Sequence, residues 1–258
     1  MAGPRNSFVW YELMTSDVAS AKAFYAKVVG WTTHDMPMPG MTYTLLQAGD
    51  IQVGGLMPLP SEACAAGMRS CWIGYVGIDD VDSAAARVKR LGGKILGDPR
   101  DIPGVGRFAM LTDPLGAAFN LFKPNQPGER AASSAPGHIG WHELHTTDWS
   151  KALGFYTDLA GWLKGDAVDM GPMGTYQLFS VGGVPAGAMF NDPAAKAASF
   201  WLYYFNVEDI DDAAKRVTDG GGTIVRGAHQ VPGGNWIVHA TDPQGAAFAL
   251  LGSKKQPG

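Results

Sequence analysis

The sequence has 258 residues and lacks the features of several protein classes. It contains two cysteines, Cys64 and Cys71, whose spacing is not that of a C-x-x-C pair, so neither a disulfide scaffold nor a structural zinc site is expected. No apolar run approaches the roughly 18 residues that a membrane helix needs. The first seven residues lack the apolar stretch of a signal peptide. We therefore expect a soluble, cytoplasmic protein with no membrane partner.

Positive charge is also scarce. Lysine and arginine number 20 against 24 aspartates and glutamates, which gives a net charge of −4. The densest basic cluster, Arg87, Lys89 and Arg90, is too small to grip a phosphate backbone, so nucleic acid is not an expected partner. Hydrophobic residues still make up 46% of the chain, enough to bury a core. These properties favour a globular protein that does not bind nucleic acid.

An internal repeat is the strongest feature of the sequence. Residues 8–31 align with 139–162 at an offset of 131, with 10 identities in 24 positions. Residues 71–122 align with 200–251 at an offset of 129, with 21 identities in 52 positions. Self-similarity over such lengths indicates a duplicated domain.

The repeat predicts the domain organisation. We place the domains at 8–122 and 139–251, joined by a linker at 123–138 that is rich in Pro, Gly, Ser and Ala. Such a chain would be a monomer, as an intrachain pseudo-dimer, or a homodimer. Within each domain the order strand, helix, short strands occurs twice, with helix starts at Asp17 and Asp80. The prediction is an α+β fold built from four βαβββ modules.

Three motifs resemble those of the vicinal oxygen chelate superfamily, which includes glyoxalases, bleomycin-resistance proteins and extradiol dioxygenases. The first joins an Asp, a Phe-Tyr pair and a Gly-Trp pair, at Asp17, Phe24-Tyr25 and Gly30-Trp31 and again at Asp148, Phe155-Tyr156 and Gly161-Trp162. The second is an Asp-rich helix start that leads to a Gly-Gly pair, at 78–93 and 207–222. The third is an Asp-Pro-x-Gly-Ala turn, at 113–117 and 242–246. The resemblance implies two glyoxalase-like domains with curved, U-shaped sheets around a small-molecule cavity.

The resemblance also implies where a metal would bind. Active members of the family place His, Gln or Glu ligands in the first and last strands of a module. The corresponding positions here carry other residue types, at Trp10, Ile73, Asn120, Trp141, Leu202 and Ala249. Trp, Ile, Leu and Ala cannot ligate a metal, and Asn is a weak oxygen donor. We therefore expect no cofactor and no metal at the usual site.

The cavity face of the first strand of each domain supplies the candidate ligand-binding residues. Side chains alternate along a strand, so one face carries Trp10, Glu12 and Met14 and its counterpart carries Trp141, Glu143 and His145. Met- and Pro-rich loops that precede Tyr43 and Tyr176, together with Asn120, complete the set. The alternative is that both glutamates have a structural role, bonded to nearby backbone or hydroxyl groups, because a buried carboxylate needs a partner.

Two histidines of the second domain have competing interpretations. His145 replaces Met14, so Glu143 and His145 form a candidate catalytic pair for acid–base chemistry or for a divalent metal. His239 replaces Met110, and pairing across the Asp242 turn sets it opposite Phe248, which predicts a packed side chain. His142 is predicted to face the helices as a core residue.

Three functions remain open from the sequence. The first is small-molecule binding without the usual metal site. The second is a metal-dependent lyase or dioxygenase that uses Glu143 and His145. The third is a structural or partner-binding protein.

Overall fold

The computed structural model describes residues 6–38, 40–65, 67–126, 134–196 and 198–255. Residues 127–133 of the predicted linker lie outside this part. Within the described ranges the chain forms sixteen strands and five α-helices. The predicted α+β class and the four βαβββ modules are confirmed.

The eight strands and the two long helices occur in the same order in both repeats. The first repeat contains β1 (Phe8–Thr15), α1 (Val18–Val28), β2 (Thr32–Met38), β3 (Met41–Ala48), β4 (Ile51–Pro58), α2 (Ser61–Ala65), β5 (Cys71–Gly77), α3 (Val81–Arg90), β6 (Lys94–Ile102), β7 (Gly106–Thr112) and β8 (Ala118–Pro124). The second contains β9 (Ile139–Thr146), α4 (Trp149–Ala160), β10 (Leu163–Asp169), β11 (Thr175–Val181), β12 (Val184–Asn191), β13 (Phe200–Asp209), α5 (Ile210–Asp219), β14 (Thr223–Gln230), β15 (Trp236–Thr241) and β16 (Ala247–Ser253). In place of α2 the second repeat has a 3-10 turn at Pro193–Lys196.

The repeated aspartates fix where the long helices begin. Asp17 is the N-cap of α1, where its side chain accepts from the Ser20 amide at 3.0 Å. Asp80, Asp148 and Asp209 cap α3, α4 and α5 in the same way. Each bond satisfies an amide that the first helical turn leaves without a partner.

The strands form two eight-stranded sheets. The order is β2-β3-β4-β1-β5-β8-β7-β6 in one sheet and β10-β11-β12-β9-β13-β16-β15-β14 in the other. The inner pairs β1·β4 and β9·β12 are parallel, with Glu12 opposite Gly55 and Glu143 opposite Ala188. This equivalent register places the two candidate glutamates at matching points of the two sheets.

The chain divides into two compact units, each built from both repeats. Unit 1 contains the described residues of 1–10, 73–130 and 142–202. Unit 2 contains those of 11–72, 131–141 and 203–258. Each unit therefore combines the second module of one repeat with the first module of the other.

The motif residues account for the core of unit 2. The Tyr25 hydroxyl is fully buried, accepts from Trp72 Nε1 at 2.8 Å and donates to Asp242 Oδ2 at 3.1 Å. Asp242 Oδ1 also accepts the Gln244 amide at 2.9 Å and the Ala246 amide at 2.8 Å, which closes the Asp-Pro-x-Gly turn. The tyrosine motif of one repeat thus bonds the turn motif of the other.

Unit 1 repeats this arrangement with the remaining copies of the motifs. Trp201 Nε1 donates to the Tyr156 hydroxyl at 2.9 Å, and that hydroxyl lies 3.4 Å from Asp113 Oδ2. Burial raises the pKa of Asp113, as it raises that of Asp242, although the hydrogen bonds that each carboxyl accepts oppose the shift. The sequence motifs therefore encode the pairing of modules within each unit.

Candidate functional site

In unit 2, Glu12 on β1 is paired with a tyrosine. Its side chain is 8% exposed, and Oε2 accepts a hydrogen bond from the Tyr43 hydroxyl at 3.1 Å. Met14, two residues along the same strand face, is also buried. Gly55 leaves room for this contact, because a β-carbon there would overlap the Tyr43 hydroxyl. Glu12 and Tyr43, proposed from different parts of the sequence, therefore meet.

In unit 1, Glu143 on β9 has the same partner type. The residue is 5% exposed, and Oε2 accepts a hydrogen bond from the Tyr176 hydroxyl at 2.7 Å. The Tyr176 ring lies against Phe190, with centroids 5.9 Å apart. Both repeats thus place a buried carboxylate under a half-buried tyrosine hydroxyl.

His145 lies between two carboxylates in unit 1. Its Nε2 is 2.9 Å from Glu143 Oε1, and its Nδ1 is 2.7 Å from Asp192 Oδ2. Phe200 stacks on the ring at a centroid distance of 4.5 Å and an interplanar angle of 13°, and Phe190 meets it edge-on at 4.8 Å. The ring is therefore held between two aromatic side chains, with Nδ1 hydrogen-bonded to Asp192 and Nε2 within ion-pair distance of Glu143.

The surroundings of His145 favour its charged form. Burial works to lower its pKa, but the hydrogen bonds and negative charges of Glu143 and Asp192 outweigh burial and raise it. The pKa of Asp192 is lowered: burial opposes ionisation there, and the bonds from His145 and from the Ala194 amide overcome it. Both directions have the same cause, the proximity of the imidazole to carboxylates.

The first repeat has an apolar version of this cluster. Its positions equivalent to His145, Asp192 and Phe200 hold Met14, Leu59 and Cys71. The Leu59 and Asp192 amides each donate at 2.8 Å to a threonine carbonyl at the end of the first strand, which confirms the equivalence. Burial, and secondarily the charge of Glu12, raises the pKa of Cys71 to about 11. The Glu–Tyr pair is thus common to both repeats, whereas the histidine cluster is specific to the second.

Comparison with known proteins identifies the family. A sequence model of the Glyoxalase/Bleomycin resistance protein/Dioxygenase superfamily matches residues 7–121 and 136–250. The chain belongs to this superfamily. A relative named "Putative glyoxylase CFP32" from Mycobacterium bovis is 30% identical over 244 residues, which cover 94% of this chain and 93% of the relative. "Anthracycline biosynthesis protein DauV" from Streptomyces sp. strain C5 is 28% identical over 254 residues, which cover 94% and 91%.

Solved structures of superfamily enzymes share the fold. The Mn(II)-bound glyoxalase from Novosphingobium aromaticivorans superposes with a TM-score of 0.62 at 19% identity, covering 98% of this chain and 83% of that one. The E323L mutant of homoprotocatechuate 2,3-dioxygenase from Brevibacterium fuscum superposes with a TM-score of 0.66 at 17% identity, covering 97% and 72%. At these identities the likeness establishes the fold.

The positions that the superfamily resemblance assigns to metal ligands hold few donors. Trp10 and Trp141 are partly exposed, and Ile73, Leu202 and Ala249 are buried apolar residues. Asn120 is 2% exposed and lies between Tyr75 and Met110 in the sheet. Across the described ranges, no three or more His, Cys, Asp or Glu side chains are arranged to hold a metal ion. In the same ranges no helix is long and apolar enough to cross a membrane.

The prediction for His239 is wrong, and the reason is register. His239 lies opposite Ala249, and Ala240 lies opposite Phe248, so the predicted pairing was shifted by one residue. A shift of one residue moves a side chain to the other face of a sheet. His239 is instead half-buried, with Nε2 2.9 Å from the Tyr204 hydroxyl.

His142 is a core residue, as predicted. It is 6% exposed and stacks on Phe8 at a centroid distance of 4.4 Å, and its Nδ1 lies 2.7 Å from the Ala186 carbonyl. Side chains alternate along β9, so Leu144 shares the face of His142, whereas Glu143 and His145 share the other face. The alternation that separates His142 from His145 was therefore readable from the strand pattern.

Proposed function

We propose that this protein binds a small, partly apolar molecule at the strand faces that carry Glu12 and Glu143, without the metal site usual in the superfamily. The observation that carries the proposal is the repeated Glu–Tyr pair. Burying a carboxylate costs free energy unless it is paired, and both repeats keep the same carboxylate at the same register. The hydrogen-bonded pair is a polar anchor among apolar side chains, which is the usual composition of a ligand site.

The donor chemistry supports a metal-free site. The residues at the family's ligand positions do not fit a borderline or transition metal, which needs several imidazole, thiolate or carboxylate groups that converge. In the second repeat, both ring nitrogens of His145 already face carboxylates, at 2.9 and 2.7 Å. A metal ligand must present a deprotonated nitrogen, and the raised pKa of His145 opposes that.

The ligand class follows from the residues beside the anchors. Trp10, Trp141 and Met14 offer flat or adaptable apolar surface, and the carboxylates and tyrosines offer hydrogen bonds. Names among the relatives refer to anthracycline biosynthesis and to glyoxylase, and the dioxygenases in structural likeness are named for homoprotocatechuate. We infer a hydroxylated aromatic compound or a small carbonyl compound as the ligand.

A second candidate function is catalysis at Glu143 and His145. The observation that favours it is the histidine cluster, because an imidazole held between carboxylates is suited to accept or donate a proton. A divalent metal belongs to this alternative only, since a lyase or dioxygenase of the superfamily type would need one. A structural or partner-binding role is the third hypothesis.

The test is a binding screen on protein purified without an affinity tag. Thermal shifts would be recorded with a catechol, an α-keto aldehyde and an anthracycline, on wild type, Glu12→Gln and Glu143→Gln. We expect at least one compound to raise the melting temperature of wild type and each variant to weaken that shift. Stoichiometric metal that is lost in Glu143→Ala would overturn the metal-free proposal. No shift with any compound class would favour the partner-binding hypothesis.

A further inference from the structure

The two Glu–Tyr sites differ by two coordinated replacements. At the positions of Met14 and Leu59 in the first repeat, the second repeat carries His145 and Asp192. The two residues are 47 positions apart, yet their side chains meet at 2.7 Å. The two repeats thus differ by an apolar pair and a polar pair at matching positions, and either polar residue alone would lack this partner.

Asp192 is the fixed end of the cluster. Its amide donates to the Thr146 carbonyl at 2.8 Å, which ties the end of β12 to the end of β9. Its Oδ1 accepts the Ala194 amide at 2.8 Å at the start of the Pro193–Lys196 turn. With Oδ1 held by the backbone, Oδ2 is aimed at His145 Nδ1.

His145 lies between Asp192 and Glu143 and connects the two carboxylates. When it is charged, the ring carries a proton on each nitrogen: Nδ1 is hydrogen-bonded to Asp192 at 2.7 Å, and Nε2 lies 2.9 Å from Glu143 Oε1. Two carboxylates place negative charge beside the ring: Glu143 on its own strand, and Asp192 after β12. Phe190 on β12 and Phe200 on β13 place their rings against it, and Tyr176 on β11 donates to Glu143.

We propose that Asp192 is a positioning residue of the second site: it holds His145, which in turn fixes the Glu143 carboxylate beside the Tyr176 hydroxyl. This rests on the proposed function, in which Glu143 anchors the ligand. It makes the two sites of one chain chemically different. Binding at the second site depends on the proton that His145 carries, and binding at Glu12 does not.

The first experiment needs no ligand. Protein labelled with ¹⁵N-histidine would be titrated by NMR, and His145 would be assigned among the six histidines by its absence in His145→Met. In wild type we expect both ring nitrogens of His145 to stay protonated to higher pH than in a free histidine. Asp192→Asn should lower the titration midpoint by about one pH unit, a tenfold loss of proton affinity, and Asp192→Glu should restore part of it.

Controls separate this effect from a general one. Asp169→Asn removes an exposed carboxylate of the same unit whose Oδ1 accepts the Gly171 amide, and it should leave His145 unchanged. An unchanged midpoint in Asp192→Asn would overturn the proposal. So would a wild-type His145 that is singly protonated at pH 6, a result that does not depend on the folding of Asp192→Asn.

The second experiment links Asp192 to the ligand. The compound that most stabilises wild type would be titrated at several pH values into wild type, Asp192→Asn and Asp192→Leu, the last carrying the residue of the first repeat. We expect the pH at which affinity changes to move down together with the His145 midpoint in both variants, and an unshifted pH dependence would contradict the proposal. If no compound binds, the proposed function fails, while the NMR result still decides the role of Asp192.

Discussion

Replacement of Tyr25 by Phe should destabilise the protein by about 2–4 kcal/mol. The ring is fully buried and would keep its packing, so the change isolates the hydroxyl. That hydroxyl accepts from Trp72 at 2.8 Å and donates to Asp242 at 3.1 Å. A buried group left without its partner costs about 1–3 kcal/mol, and here a donor and an acceptor are both affected. Asp242 retains its two backbone bonds, which limits the total.

The assay is equilibrium urea unfolding followed by tryptophan fluorescence, together with a thermal melt. For a chain of this size, the expected loss corresponds to a decrease in melting temperature of about 5–15 °C. Tyr156→Phe is the matched comparison, because its hydroxyl lies 3.4 Å from Asp113 and that bond is weaker. Tyr156→Phe should therefore cost less than Tyr25→Phe. A loss below about 0.5 kcal/mol in Tyr25→Phe, or the reverse order of the two variants, would refute the reasoning.

Three further predictions follow from individual side chains. The folded-state pKa of His145 is raised above its unfolded value. The contribution of His145 to stability is therefore present below about pH 6.5 and is lost as pH rises through the folded pKa. Urea midpoints should accordingly fall with rising pH less steeply in His145→Met than in wild type. Gly55→Ala should displace the Tyr43 ring and cost about 1–3 kcal/mol in the same assay, and an unchanged midpoint would show that the ring moves freely. Ellman's reagent at neutral pH should titrate exposed Cys64 quickly and Cys71 slowly, because burial raises the Cys71 pKa to about 11, and equal rates would contradict that burial.

The fold was predictable because the same motifs occur in both repeats, so each copy supports the interpretation of the other. A helix start at Asp17 and another at Asp148 are each weak signals, and their recurrence at a fixed offset makes both stronger. Strand alternation placed Glu12 and Glu143 on one face, and it separated His142 from His145. The tyrosine partners were named from their loops, although the hydrogen bonds to the glutamates could not be read from local pattern.

The sequence predicted Glu143 and His145 of the histidine cluster but not Asp192. Asp192 was missed because it follows β12, and its approach to His145 depends on the parallel register of β9 and β12, which no local pattern specifies. A signal was present: the comparison of repeats sets Asp192 against Leu59, just as it sets His145 against Met14. His239 was misplaced for a related reason, since an antiparallel pair one residue out of step reverses the face.

The reciprocal make-up of the units has a consequence for how this chain can be cut and how it arose. Tyr25 of the first repeat needs Asp242 of the second, and Tyr156 of the second needs Asp113 of the first. A single repeat expressed alone would therefore lack half of each core, and two copies could supply it to each other as a homodimer. Fusing two such copies replaces a concentration-dependent association with an intramolecular one. Once fused, the two halves no longer need to be identical, so one repeat can carry His145 and Asp192 while the other carries Met14 and Leu59.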